Sequence, residues 1–121
     1  MPILDVEIVT RKGEVLPDAL AFELADHLGR AFDAAPGKVW VRLRTLAGDR
    51  YAENATGDEQ PFPVFVSLTA SVLPEGEKLE GRMGMITEVV ARLTDRAPDN
   101  VHVLVEPAAK GRIAFGGRMV K

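Results

Sequence analysis

The 121-residue chain contains no cysteine and only two histidines, His27 and His102. The first absence excludes a disulfide framework, a thiolate nucleophile and any cysteine-ligated zinc or iron–sulfur site. The second leaves too few nitrogen ligands for a zinc enzyme, because the two histidines lie 75 positions apart (102 minus 27) with no H-E-x-x-H spacing. Long apolar runs are missing too: Asp5 and Glu7 interrupt the early one, so neither a secretory leader nor a membrane-spanning segment is expected. Nor is there an excess of positive charge. Fifteen Lys and Arg against eighteen Asp and Glu give a net charge of −3, which disfavours nucleic acid and anionic lipid as partners. A cytoplasmic protein with neither a nucleic-acid nor a membrane partner is the expectation.

What the chain has is the composition of a folded protein, 46% hydrophobic and 27% charged, in a length that fits one domain over residues 1–121. That length has no room for separate cofactor and substrate domains. It does contain an internal repeat. Ala35-Pro36-Gly37-Lys38-Val39-Trp40-Val41 and Ala97-Pro98-Asp99-Asn100-Val101-His102-Val103 share the frame A-P-x-x-V-x-V at an offset of 62 (97 minus 35). At the same offset the helix-spaced Ala21, Leu24, Leu28 and Ala31 fall on Met83, Ile86, Val90 and Leu93, and Leu4, Val6 and Ile8 fall on Val66, Leu68 and Ala70. Two units follow, 1–57 and 63–121, joined by a polar, proline-punctuated linker from Asp58 to Pro63.

Each unit reads as strand, helix, strand. Alternation predicts strands at Ile3–Thr10 and Val64–Val72. Helices are predicted from Pro17 to Ala34 and from Glu77 to Arg96, stopped by the Ala-Pro pairs, because proline disfavours helical geometry in the residue before it. Second strands are predicted at Val39–Leu46 and Val101–Glu106. So long a connection makes each pair parallel with a right-handed crossover. The predicted fold class is α+β: two tandem β-α-β units forming a four-stranded mixed sheet with both helices on one face. The other face then presents Ile3, Asp5, Trp40, Arg42, Arg44, Phe65, Ser67, His102 and Leu104, a mixed apolar surface that calls for a partner, so oligomerisation is expected. The tails Asp49–Gly57 and Ala109–Gly117 are turn-rich and read as short hairpins or edge extensions.

Pro2 is the first residue with chemistry to offer. Removal of Met1 would expose a secondary amine at the head of a strand, a base and nucleophile that needs no side chain. Combined with the alternating strand that follows it, the doubled A-P-x-x-V-x-V frame and the segment Ala109-Lys110-Gly111 followed by Gly116-Gly117, this proline makes the chain resemble the tautomerase superfamily, which includes 4-oxalocrotonate tautomerase and macrophage migration inhibitory factor. Ser67-Leu68-Thr69 is also similar to the corresponding strand of the inhibitory factor. The resemblance covers essentially the whole chain as two fused units. It implies a homotrimer with sites at subunit boundaries, and cofactor-free proton transfer on a small keto or enol acid with Pro2 as general base.

A second group must hold the developing enolate charge. Here the chain departs from the family, whose arginine after the first valine of the second strand is replaced by Trp40 in one unit and His102 in the other. Trp40 reads either as a stacking surface for a flat substrate or as subunit packing. His102 matches a substrate-facing aromatic of the inhibitory factor and reads either as a hydrogen-bond donor or as structural. Arg11 and Lys12 match the family's cation at the end of the first strand, where the second unit has Leu73 and Pro74. Tyr51 and Asn54 are candidate hydrogen-bonding groups at a site mouth. Arg112 is a candidate carboxylate ligand, and Phe115 stands two residues beyond Ile113, which replaces the family's hairpin aromatic. The alternatives are a hydrolytic or decarboxylating relative, or a trimeric interaction module without catalytic activity.

Overall fold

A computed structural model describes residues 2–57 and 59–121; Met1 and Asp58, the first residue of the anticipated linker, lie outside them. The elements are β1 (Ile3–Thr10), α1 (Leu20–Ala31), β2 (Trp40–Ala47), β3 (Val64–Thr69), α2 (Gly76–Thr94), β4 (Val101–Val105), β5 (Ala114–Phe115) and β6 (Arg118–Met119). The four longer strands form one mixed sheet in the order β2-β1-β3-β4, and β5 pairs with β6 in a separate hairpin. β1–β2 and β3–β4 are parallel, while the two central strands run antiparallel with Val6 opposite Val66. The repeat reappears as register. Ile3 faces Trp40 and Val64 faces Val101, a separation of 37 in both units (40 minus 3, 101 minus 64).

Alternation explains which side is covered. Leu4, Val6 and Ile8 of β1 and Val64, Val66 and Leu68 of β3 point one way into a single buried cluster with Leu20, Leu24 and Leu28 of α1 and Ile86 and Val90 of α2. Each fully buried leucine contributes roughly 1.5–3 kcal/mol by leaving water. The intervening residues face outward, and Trp40, Phe65 and Leu104 remain exposed there. The expected α+β architecture, with both helices on one face, is therefore the observed one.

Both helices end earlier than the Ala-Pro pairs suggest. The backbone turns left-handed at Asp33 (φ 52°) and Asp95 (φ 56°), two positions again 62 apart. Aspartate tolerates this conformation better than most residues and so closes each helix three residues before its proline. At the other end of α1, Pro17–Ala19 forms a turn, Leu20 N–H donating to Pro17 O at 3.1 Å, and the helix begins at Leu20. β3 stops at Thr69 instead of Val72. Beyond it, Ala109 and Lys110 N–H groups donate to the carbonyls of Ala70 and Ser71 at 2.9 and 3.1 Å, so the returning tail satisfies that stretch.

The two tails differ. Ala114–Met119 is the expected hairpin, turning at Gly116 and Gly117, both with positive φ (59° and 83°), the geometry that a two-residue hairpin turn requires. Asp49–Gly57 is not a hairpin. Gly48–Arg50 is a single 3-10 turn, and the segment beyond it bonds to itself: Tyr51 Oη donates to Glu53 Oε2 at 2.5 Å, and Thr56 Oγ1 donates to Glu53 O at 3.0 Å. Local side-chain bonds of this kind compete with strand pairing.

Candidate active site

Pro2 immediately precedes β1, which is central in the sheet, and its carbonyl accepts a hydrogen bond from Trp40 N–H at 3.1 Å. This anchors the residue at the strand head. Strand alternation turns it toward the helix side, where it forms one wall of a cavity of about 160 Å3. The remaining walls are Phe32 and Ala34 from the end of α1, Leu68, Ala70, Val72 and Leu73 from β3 and the loop after it, and Arg82 from α2. Apart from the arginine, every side chain around Pro2 is apolar.

Arg82 was not among the residues singled out from the sequence. Its guanidinium lies over the Phe32 ring, 5.0 Å from the centroid. A trace of it exists in the repeat: Arg82 stands 62 positions after Leu20, a fully buried core residue, so a cation occupies a core-stripe position.

The other predicted site residues fall elsewhere. Arg11 and Lys12 lie beyond the far end of β1, roughly 30 Å from Pro2 at about 3.3 Å per strand residue. They line a separate hollow of about 660 Å3 with Thr10, Glu14, Gln60 and Phe62. Arg11 is partly engaged there, bonding Glu14 Oε2 and Asp95 O at 3.3 Å each and lying 5.7 Å from the centre of the Phe62 ring. Within one chain neither cation can reach a small molecule held at Pro2.

Trp40 and Phe115 are brought together, but on the outer face of the sheet. Their rings meet edge to face at 5.2 Å, and Trp40 Nε1 donates to Gly37 O at 2.9 Å. Tyr51 and His102 flank Phe65 on that face, with centroids 5.8 and 5.5 Å away. The bond to Glu53 pushes the Tyr51 phenol up to about 12, so it stays protonated at neutral pH and can donate but not act as a base. Asn54 and Arg112 are exposed. Arg42 and Arg44, also on this face, are both drawn to Asp5. Arg42 holds both carboxylate oxygens of Asp5 and keeps that acid below its ordinary range, and Arg44 lies 4.0 Å from it. Among the described residues no group of three or more His, Asp or Glu is placed to hold a metal, and no helix is long and apolar enough to cross a membrane.

The sheet order, the crossovers and the paired helices define a tautomerase/MIF-like fold. A macrophage migration inhibitory factor homologue from Prochlorococcus marinus superposes with a TM-score of 0.74 at 12% identity, covering 98% of this chain and 99% of its own. A fused 4-OT in a wild-type symmetric trimer gives 0.72 at 15% identity, covering 98% and 94%. A malonate semialdehyde decarboxylase inhibited by 3-bromopropiolate gives 0.65 at 18% identity, covering 94% and 88%. At these identities the likeness is one of fold. No protein-family model matches the sequence, and no curated protein matches it.

Proposed function

We propose that the chain is a cofactor-independent tautomerase, a cytoplasmic homotrimer that moves a proton on a small keto or enol acid, with the Pro2 amine as general base. The observation that carries this reading is the position of Pro2: a strand-head proline, anchored through its carbonyl, against an otherwise apolar cavity with one cation on its wall. In that setting the neutral amine accepts the enol hydroxyl proton. The resulting ammonium returns a proton to the carbon beside the new carbonyl, so a single group does both transfers and the proton count is unchanged. The uncovered outer face, with Trp40, Phe65 and Leu104 exposed, supports assembly. Since Arg11 and Lys12 lie at the opposite end of β1 from Pro2, they could act at a Pro2 site only from a neighbouring chain. Trp40, Tyr51, Asn54, His102, Arg112 and Phe115 are then candidates for contacts made at the boundary.

The test is ketonisation of phenylenolpyruvate by the purified protein with Met1 removed, alongside its mass by light scattering. A mass of three chains and a rate well above buffer are expected. A rate equal to buffer for this and other enol acids, from an intact trimer, favours the interaction module. A second reading, decarboxylation of a small oxo acid by the protonated Pro2, takes support from the decarboxylase among the structural relatives. Release of carbon dioxide from malonate semialdehyde distinguishes it.

A further inference from the structure

We infer that Arg82 is the carboxylate anchor of the Pro2 cavity and that it selects small acids bearing one carboxylate and an otherwise apolar body. The chemistry attached to this inference rests on the proposed role of Pro2; the binding preference does not. Three observations carry it. Arg82 lines the same cavity as Pro2 and is only half exposed. Its guanidinium lies over the face of Phe32, itself a wall of the cavity, which holds the cation beside Pro2. Among the described residues, finally, it makes no ion pair.

The repeat supplies an internal comparison. Arg96 stands 62 positions after Ala34, another wall of the Pro2 cavity, and so marks the corresponding place in the second unit. There the chain satisfies its arginine completely. Arg96 donates to both oxygens of Glu14 at 2.6 and 2.8 Å and to the carbonyls of Phe62, Thr94 and Val9 at 3.1, 2.7 and 2.7 Å. Where no ligand is to enter, the arginine is filled from within; at the end that carries Pro2, the arginine has no carboxylate and faces a cavity. An arginine fork matches a carboxylate in two parallel bonds. The other side chains on the wall are apolar and offer a second carboxylate no charged partner, which disfavours dicarboxylates.

The experiment measures calorimetric binding of cinnamate, cinnamamide and trans,trans-muconate, none of which can enolise, to the assembled protein. The native chain is expected to bind cinnamate at least about tenfold more tightly than either other compound, because the amide loses the charge-assisted bonds and the second carboxylate of muconate finds no cationic partner. Arg82→Gln should abolish the preference for acid over amide, and Arg82→Lys should keep part of it. No preference in the native chain, tighter binding of muconate, or a preference that survives Arg82→Gln overturns the inference. If Arg82→Gln loses the preference while Pro2→Ala keeps full activity on enol acids, the anchor stands and the proline reading fails. The reverse pattern separates them the other way.

Discussion

Pro2→Ala, in a preparation free of Met1, is expected to lower kcat/KM for phenylenolpyruvate ketonisation by about 100-fold, the lower end of what a positioned general base contributes. The loss is not larger because alanine still leaves an amine at the strand head, with an ordinary α-amino pKa of about 8. What disappears is the ring. In proline the pyrrolidine ring prevents rotation about the N–Cα bond and holds the nitrogen lone pair in one direction, whereas a primary amine rotates freely and spends most of its time misdirected. The fold should not suffer, because the bond that anchors the strand head, from Trp40 N–H, is accepted by the backbone carbonyl of residue 2, which alanine supplies equally. Unchanged circular dichroism with a large loss of rate is therefore the expected pair of results. Equal rates in the two proteins remove the proline mechanism.

The second large effect concerns stability. The Arg96 side chain is 1% exposed, and its five hydrogen bonds tie the end of α2 to β1, to the segment entering β3 and to the loop after β1. Glu14→Gln leaves a buried guanidinium without its counter-charge, and Arg96→Ala takes this donor from the carbonyls of Val9, Phe62 and Thr94 and leaves Glu14 with only its contacts to Arg11. Removing one partner of a buried pair costs about 3–5 kcal/mol, a large share of the stability of a small domain. Urea midpoints compared at one protein concentration should fall sharply for both variants. The pH dependence gives an independent check. The hydrogen bonds from Arg96, reinforced by the Arg11 N–H, hold Glu14 at about 2, below its ordinary value of 4.5. A depressed folded-state pKa means that the stabilisation, on the order of 3 kcal/mol, is complete above pH 4.5 and is lost as the pH falls from there toward 2. The gap between native protein and Glu14→Gln should close over that window. A gap constant from pH 6 to pH 2.5 contradicts the assignment.

Much of the architecture is legible in the residues because the repeat is a physical constraint and not just a similarity. Equal spacing between the paired strands produces the same 37-residue register twice, and the alternation of Leu4, Val6 and Ile8 fixes which face meets the helices. The helix ends were legible in a way the prolines obscured: Asp33 and Asp95 both stand three residues before Pro36 and Pro98, and it is the aspartate, not the proline, that closes the helix. The Asp49–Gly57 segment reads as a hairpin by composition, yet Glu53 bonds locally to Tyr51 and Thr56 and the segment runs in turns instead of pairing as strands.

The site is less legible than the fold. Pro2 is visible because it stands directly after Met1 and opens an alternating strand. Arg82 is hidden because an arginine in an amphipathic helix ordinarily reads as a solvated residue, and only its alignment with the buried Leu20 marks it. The pairing of Arg96 with Glu14, 82 positions apart, has no local pattern at all. Arg11 and Lys12 illustrate a third difficulty. They match the family's cation by position, but a strand of eight residues carries them to the end of the sheet opposite Pro2, and only assembly can restore the proximity.

The central claim is that the reacting group is the amine of Pro2 itself. Its most direct test is to prepare the protein in two forms verified by intact mass, one with Met1 removed and one with Met1 retained, and to measure kcat/KM for phenylenolpyruvate on both. The two forms share every side chain from Pro2 onward; in the second, the proline nitrogen is an amide and has no basicity. Activity confined to the form lacking Met1 is the predicted result. Equal activity in both would show that the proton is carried by some other group.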